Sequence, residues 1–399
     1  MIKKVQMFTR NFINKLPGFE TDGKPIGGAE VYLHNLAKLF IKMGFDIEII
    51  QAGDDNNLSE FDGIKVRTLR INGIKRKLFP LVLPHIFSNL EDKGALKIYN
   101  GPEYAIFRNR DNGPAVGIFH GVPWDSSFYD YVILETKYRR NGTWDFFKSL
   151  IRYLYFHFFM PYGVRRSLFN LDKVVSVDSN ILNYLTKNLR VKIFVVYNFV
   201  DCNLFSPANH DQRVNRIRKI LVPRNFNVGR GVYLVPDICR TLLNSTKDFE
   251  FLMVGSGPLK SYLEQETVSS NLQSNITFLG HVSHDEMAEL YKEADFVLIP
   301  SIYSEGTTLA ALEAMASQKL LFCTDVGGLK EIGQDGVNKV VVKKNAQDIA
   351  NKISYYLGHP SEGEEIAKNA REYVCRYFNK EIWEQKWKEV ILNELKEKI

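Results

Sequence analysis

The stretch Asp295-Phe296-Val297-Leu298-Ile299-Pro300-Ser301, followed shortly by Glu305-Gly306-Thr307-Thr308-Leu309-Ala310-Ala311-Leu312-Glu313, decides how this chain reads. Its first run is short, apolar and stopped by Pro300, the pattern of a buried strand ending at a turn. The next helix is therefore expected to begin near Thr307. A helix N-terminus leaves N–H groups without intrahelical partners and carries partial positive charge, so the backbone of Thr307, Thr308 and Leu309 is a seat for phosphate. Glu305 lies just before that seat and Glu313 about two turns inside the helix. Two carboxylates so placed can each hold a hydroxyl on either side of a phosphate group, as a grip on a nucleotide sugar requires.

Outward from this stretch, short apolar runs alternate with helical patterns, which argues for parallel sheets flanked by helices. In the second half, strands are expected at 219–222, 249–254, 276–279, 296–299 and 320–323. In the first half they are expected at 46–50, 115–119, 173–177 and 193–196, with a helix over 29–43 that Gly44 stops. The opening nine residues are charged, then briefly apolar, and are interrupted by Arg10 and Asn11, which fits a first strand better than a secretory signal. With 399 residues, 45% of them hydrophobic, the chain can bury two cores, and two Rossmann-like units are expected.

Composition narrows the function classes. No stretch of about 18 consecutive apolar residues exists to serve as a spanning helix. Cys202, Cys239, Cys323 and Cys375 show no paired spacing, so neither a disulfide framework nor a zinc site is expected, and a reducing cytoplasm is the simplest compartment. Charge is uneven: residues 1–205 hold 28 Lys+Arg against 20 Asp+Glu (+8), and residues 206–399 hold 24 against 26 (−2). The basic half is expected to face something acidic. Within it, the stretch 139–166 interleaves Arg139, Arg140, Lys148, Arg152, Arg165 and Arg166 with Phe and Tyr residues, among them Phe146, Phe147, Tyr153, Tyr155, Phe156, Phe158 and Phe159. That mixture, eight Phe and Tyr residues in all once Tyr162 is counted, suits peripheral contact with an anionic membrane from the cytoplasmic side, although a core helix with solvated arginines reads the same way. No recognised nucleic-acid module accompanies it.

The spaced glutamates resemble the signature of the large retaining glycosyltransferase family 4, whose members have the two-domain α/β GT-B fold. The resemblance is nearly continuous from Asn198 to Gly336 and patchy before that. It implies two Rossmann-like domains facing each other across a cleft: residues 1–205 binding the acceptor, joined by a C-terminal helix of about 377–399, and residues 206–376 binding the nucleotide-sugar donor. Asn198-Phe199-Val200-Asp201 through Phe205-Ser206-Pro207 resembles the family's interdomain stretch, with Phe199 in place of a glycine.

The resemblance also assigns residues. It places Glu305 on the donor sugar and Glu313 on the ribose. Arg224 and Arg230 stand where the family holds the diphosphate with an arginine and a lysine. His120, ending the run 115–119, corresponds to a histidine beside the donor sugar, and Gly27-Gly28 to a glycine turn under the donor phosphates. Gly255 and Gly257 match a turn where backbone approaches the ligand; a dinucleotide fingerprint would need a third glycine where Lys260 stands, which disfavours a nicotinamide enzyme. His281 is expected to stack on the base and Val282 to meet its edge, while Gly327-Gly328 resembles the family's paired-glycine turn near the donor. Thr307-Thr308 departs from the Phe-Gly or Phe-Pro of many relatives, which leaves the sugar open.

A nucleoside diphosphate gains negative charge as it leaves, and the chain contains no Asp-x-Asp tripeptide of the kind that holds a divalent metal. Metal-independent transfer from a UDP- or GDP-linked sugar, without a cofactor, to a glycan or lipid-linked acceptor is the expectation. A catalytically silent GT-B subunit is the alternative.

Overall fold

The computed structural model describes residues 2–13, 25, 27–71, 79–122, 124–139, 143–185, 191–208 and 217–396. The chain forms two compact units, one of Met1–Gly121, Phe156–Tyr197 and Trp383–Ile399, the other of Val122–Tyr155 and Asn198–Ile382. Residues 122–155, read from sequence as part of the first domain, thus group with the second unit. The cause is aromatic packing: Leu134 belongs to the second unit's core, Tyr138 stacks on Tyr233 at 4.1 Å, and Tyr131 stacks on Tyr303 at 5.4 Å.

The first unit is built on eight strands: β1 (Lys4–Thr9), β2 (Asp46–Gly53), β3 (Asn57–Phe61), β4 (Ile64–Arg70), β5 (Leu96–Tyr99), β6 (Ala115–Phe119), β7 (Lys173–Ser176) and β8 (Lys192–Val195). Their order is β3-β4-β2-β1-β5-β6-β7-β8, parallel throughout except for the edge hairpin β3–β4. The helix Gly28–Lys42 buries Tyr32, Leu33, Leu36, Ala37, Leu39 and Phe40, the spacing that keeps one helical face on a sheet. Against it lie Trp383 and Trp387 of the helix Lys380–Lys396, both buried. Trp387 Nε1 donates to the Tyr32 hydroxyl at 2.7 Å, and Trp383 meets the Tyr32 ring edge-on at 5.3 Å. The buried Lys173 Nζ donates to the Val390 carbonyl at 2.6 Å, which fixes the same helix from the sheet side.

The second unit carries β9 (Arg218–Pro223), β10 (Phe249–Val254), β11 (Ile276–Gly280), β12 (Phe296–Ile299), β13 (Leu320–Thr324) and β14 (Val340–Val342) in the order β11-β10-β9-β12-β13-β14, all parallel. A sheet covered by helices on both faces needs nearly continuous apolar strands, and β12 and β13 are buried along their whole length. The strand order reverses between β9 and β12, so the loops after these two strands are where an open α/β sheet presents its ligand crevice.

One expectation is overturned here. Cys202 and Cys375 form a disulfide, with Cα atoms 6.0 Å apart and a sequence separation of 173. Short-range spacing does not reveal such a pair, because the fold alone brings the 202 loop to the helix Pro360–Tyr377. Cys239 and Cys323 are buried thiols. Among the described residues, no helix is long and apolar enough to cross a membrane.

Candidate active site

The loops after β9 and β12 bring Arg224, Arg230 and Glu305 together. Glu305 is buried, and its two carboxylate oxygens are shared: Oε1 pairs with Arg224 Nη2 and accepts from the Ser301 hydroxyl, while Oε2 pairs with Arg230 Nη1. Arg224 Nη2 also reaches Ser301 Oγ at 3.2 Å. Burial by itself would raise the Glu305 carboxyl, but Arg224 and Arg230 outweigh it and hold the group down at about 2. Burial likewise pulls the Arg224 guanidinium down, and Glu305 opposes that pull. The two cations differ in access: the Arg224 side chain is 7% exposed and that of Arg230 is 34% exposed. Among the described residues, the buried Nε of Arg224 has no hydrogen-bond acceptor. A buried guanidinium N–H without an acceptor carries a desolvation penalty that an incoming anion would relieve.

Glycines set this geometry. Gly231, at φ +70°, lies where any Cβ would overlap the Pro300 carbonyl, so the chain bearing Arg230 presses directly on the end of β12. Gly327, at φ +48°, lies against the backbone of Glu305, and the Gly328 N–H donates to the Glu305 carbonyl at 2.6 Å. The paired-glycine turn therefore buttresses the carboxylate loop. Gly255 and Gly257 have the same kind of role: their close neighbours are the backbone of Arg224 and Phe226, and the Phe226 N–H donates to the Ser256 carbonyl at 2.8 Å.

The helix after the loop spans Leu309–Ala316, with Thr308 as its N-cap, its hydroxyl 3.4 Å from the Ala311 N–H. Thr307 is fully buried, and its Oγ1 accepts from the Asn198 N–H at 2.9 Å. One turn and more into the helix, buried Glu313 accepts from the Tyr291 hydroxyl at 3.0 Å and lies 3.2 Å from His284 Nε2. The phenol of Tyr291 is raised well above its ordinary value by burial and then by Glu313, so it stays a donor. Phe205 packs edge-on against both His284 and Tyr291.

Sequence reasoning missed Ser301, Tyr291 and His284. Ser301 stands in the decisive stretch but carries no spacing signal. His284 lies three residues past His281, on the helix His284–Glu293. His281 itself is exposed, and Val282 is partly buried; both lie in the short turn between β11 and the Ser283 cap.

In the first unit, His120 follows β6 and Gly27 caps the helix Gly28–Lys42. His120 Nε2 lies 2.5 Å from Asn100 Oδ1, and Asn100 Nδ2 donates to Thr9 Oγ1 at 3.1 Å. Since the Asn100 carbonyl oxygen can only accept, His120 carries its proton on Nε2, leaving Nδ1 as an acceptor. Thr9, Asn100 and His120 stand at the C-terminal ends of the adjacent strands β1, β5 and β6. Burial pushes the imidazole down to about 4, so His120 is neutral at pH 7. Its ring signals in an NMR titration are expected to move near pH 4; a midpoint near 6.5 would contradict this placement. Glu30, in the first turn after Gly27-Gly28, is raised by burial.

Residues 203–373 match the family model for glycosyl transferases group 1, and residues 26–204 match that for glycosyltransferase family 4. The chain belongs to glycosyltransferase family 4. An uncharacterized glycosyltransferase of Methanocaldococcus jannaschii is 26% identical over 391 residues, covering 92% of this chain and 93% of that one. A second from the same organism is 31% identical over 212 residues, covering 52% of this chain and 56% of its own length. Among solved structures, sucrose-phosphate synthase of Thermosynechococcus elongatus superposes with a TM-score of 0.75 at 17% identity, covering 98% of each chain. Anabaena HepE, in complex with UDP-glucose, gives 0.70 at 16% identity, covering 98% of this chain and 99% of its own. The fold of this family 4 member is GT-B.

Proposed function

We propose that this chain moves a hexose-type sugar, with retention of configuration, from a nucleoside-diphosphate donor to an acceptor hydroxyl of a glycan or lipid-linked glycan in envelope polysaccharide synthesis. The observation that carries this reading is Glu305 held between Arg224 and Arg230, with the buried Arg224 Nε lacking an acceptor. The single carboxylate offsets only one of the two guanidinium charges, so the three groups together keep a net positive charge. A diphosphate brings its own negative charge, can satisfy Arg224 Nε, and can share Arg230, whose side chain is the more exposed of the two. Glu305 is then free to turn an oxygen toward the sugar hydroxyls. The N–H groups at Thr308 and Leu309 add dipoles to the same phosphate, and Glu313, with Tyr291 and His284 around it, is the ribose ligand. His281 and Val282 remain the proposed base contacts.

The roles of His120, Gly27 and Gly28 toward the sugar and phosphates belong to the same proposal and rest on the family resemblance of those residues. That HepE was solved with UDP-glucose supports a UDP-linked donor. A relative of 27% identity over 142 residues, the alpha-D-kanosaminyltransferase of Streptomyces kanamyceticus, supports transfer of a glycosyl group without fixing the acceptor.

The test is turnover of labelled UDP- and GDP-sugars with and without acceptor extract. Release of nucleoside diphosphate supports the enzyme reading, whereas donor binding with no release marks a silent subunit. Because fixed arginine charge serves the leaving group, chelator is expected to leave turnover unchanged, and complete inhibition would contradict the scheme. Arg230→Lys is expected to keep substantial turnover, while Arg230→Ala loses about 10²–10³ of it. Equal rates for the two variants would refute the charge role.

A further inference from the structure

The apolar surface that the fold leaves uncovered concentrates on residues 143–169. In the helix Thr143–Leu154, Phe147, Ile151 and Leu154 are 55%, 66% and 41% exposed, and their spacing of four and three makes one stripe. Lys148 and Arg152 are exposed beside it, while Ser149 is buried and Leu150 partly buried on the other side. In the first unit, Phe158, Phe159 and Tyr162 are 64%, 68% and 66% exposed, with Arg165 and Arg166 exposed nearby. Between Asp145 and Asp172 the chain contains no acidic residue. Single exposed apolar residues are ordinary, but contiguous large ones mark a surface that something covers.

We propose that these two stripes, one carried by each unit, bind the headgroup region of an anionic lipid bilayer. Aromatic rings lie well at the boundary between headgroups and acyl chains, and Lys and Arg beside them reach lipid phosphates while their stems stay in apolar surroundings. A second copy of this chain is a poor occupant: two surfaces built on the predominantly basic stretch 146–171 repel one another. The inference stands on exposure and charge alone, so it holds or fails independently of sugar transfer, which donor binding reports separately.

The experiment is co-sedimentation of the full chain with vesicles of phosphatidylcholine containing about one third phosphatidylglycerol, beside vesicles of phosphatidylcholine alone. Binding to the anionic vesicles only, released by salt, is expected. Lys148→Glu/Arg152→Glu should weaken it by roughly fivefold or more per charge lost, and Phe158→Ser/Phe159→Ser should abolish most of it. These side chains are exposed, and an unchanged circular dichroism spectrum and melting temperature check that each variant is folded. Protein left in the supernatant at low salt would overturn the proposal, as would variants that sediment like the parent. So would a parent oligomer that Phe158→Ser/Phe159→Ser dissolves, since the occupant would then be a second copy.

Discussion

Glu305→Ala is expected to abolish transfer and to destabilise the second unit by about 3–5 kcal/mol, because it removes the partner of a buried cation. Arg224 is 7% exposed and Glu305 neutralises it directly. The truncation leaves that guanidinium uncompensated and also removes the acceptor of the Ser301 hydroxyl. Glu305→Gln keeps the shape and separates the two effects: turnover should still fall by about 10²–10³, while part of the packing survives. Acid dependence supplies a second readout. The folded carboxyl is held at about 2, below its ordinary value of 4.5, so its stabilising contribution is fully present above pH 4.5 and is lost as pH falls through about 2. The stability gap between the parent and Glu305→Gln, followed by urea unfolding, should therefore close as pH is lowered across that window. A gap that is constant from pH 5 to 2.5, or unchanged turnover, would refute the assignment.

Arg224→Ala is the second large effect. Arg230 sits on a loop with a third of its side chain exposed, whereas Arg224 is enclosed, so its charge acts through less solvent. Turnover should fall by about 10²–10³, and Arg224→Lys should recover less of it than Arg230→Lys does, since the buried site uses a planar fork to reach Ser301 and Glu305 at once. Steady-state rates with saturating donor check this. Full recovery by Arg224→Lys would mean that only the charge matters at both positions.

The residues that carry these effects were legible in the sequence because chemistry and secondary structure coincide there. The apolar run ending at Pro300 fixes a strand end, and Glu305 must follow on the loop. Arg224 and Arg230 likewise sit just past a strand that reads clearly, 219–222. What the sequence hides is which polar groups meet across distant loops. Asn100 and Thr9, which orient His120, lie 20 and 111 residues from it in the chain, and nothing local marks them. The Cys202–Cys375 link is hidden for the same reason.

The strands that escaped reading have physical causes too. Lys97 interrupts the apolar run of β5, yet its amine is buried and donates to the Ala95 carbonyl at 2.9 Å. The β3–β4 hairpin is an edge with half its residues in water, and β14 has three residues. The grouping of 122–155 with the second unit depends on tyrosine pairs, such as Tyr131 with Tyr303, that no periodicity announces.

Nucleotide binding by calorimetry, comparing the nucleoside diphosphate with its bare nucleoside, tests most directly whether the second unit holds the leaving group with guanidinium charge. The parent should bind the better of UDP and GDP at least about 100-fold more tightly than uridine or guanosine, and Arg224→Ala should erase most of that difference while leaving nucleoside affinity unchanged. If the diphosphate keeps its full advantage in Arg224→Ala, the paired arginines are structural and the account is wrong.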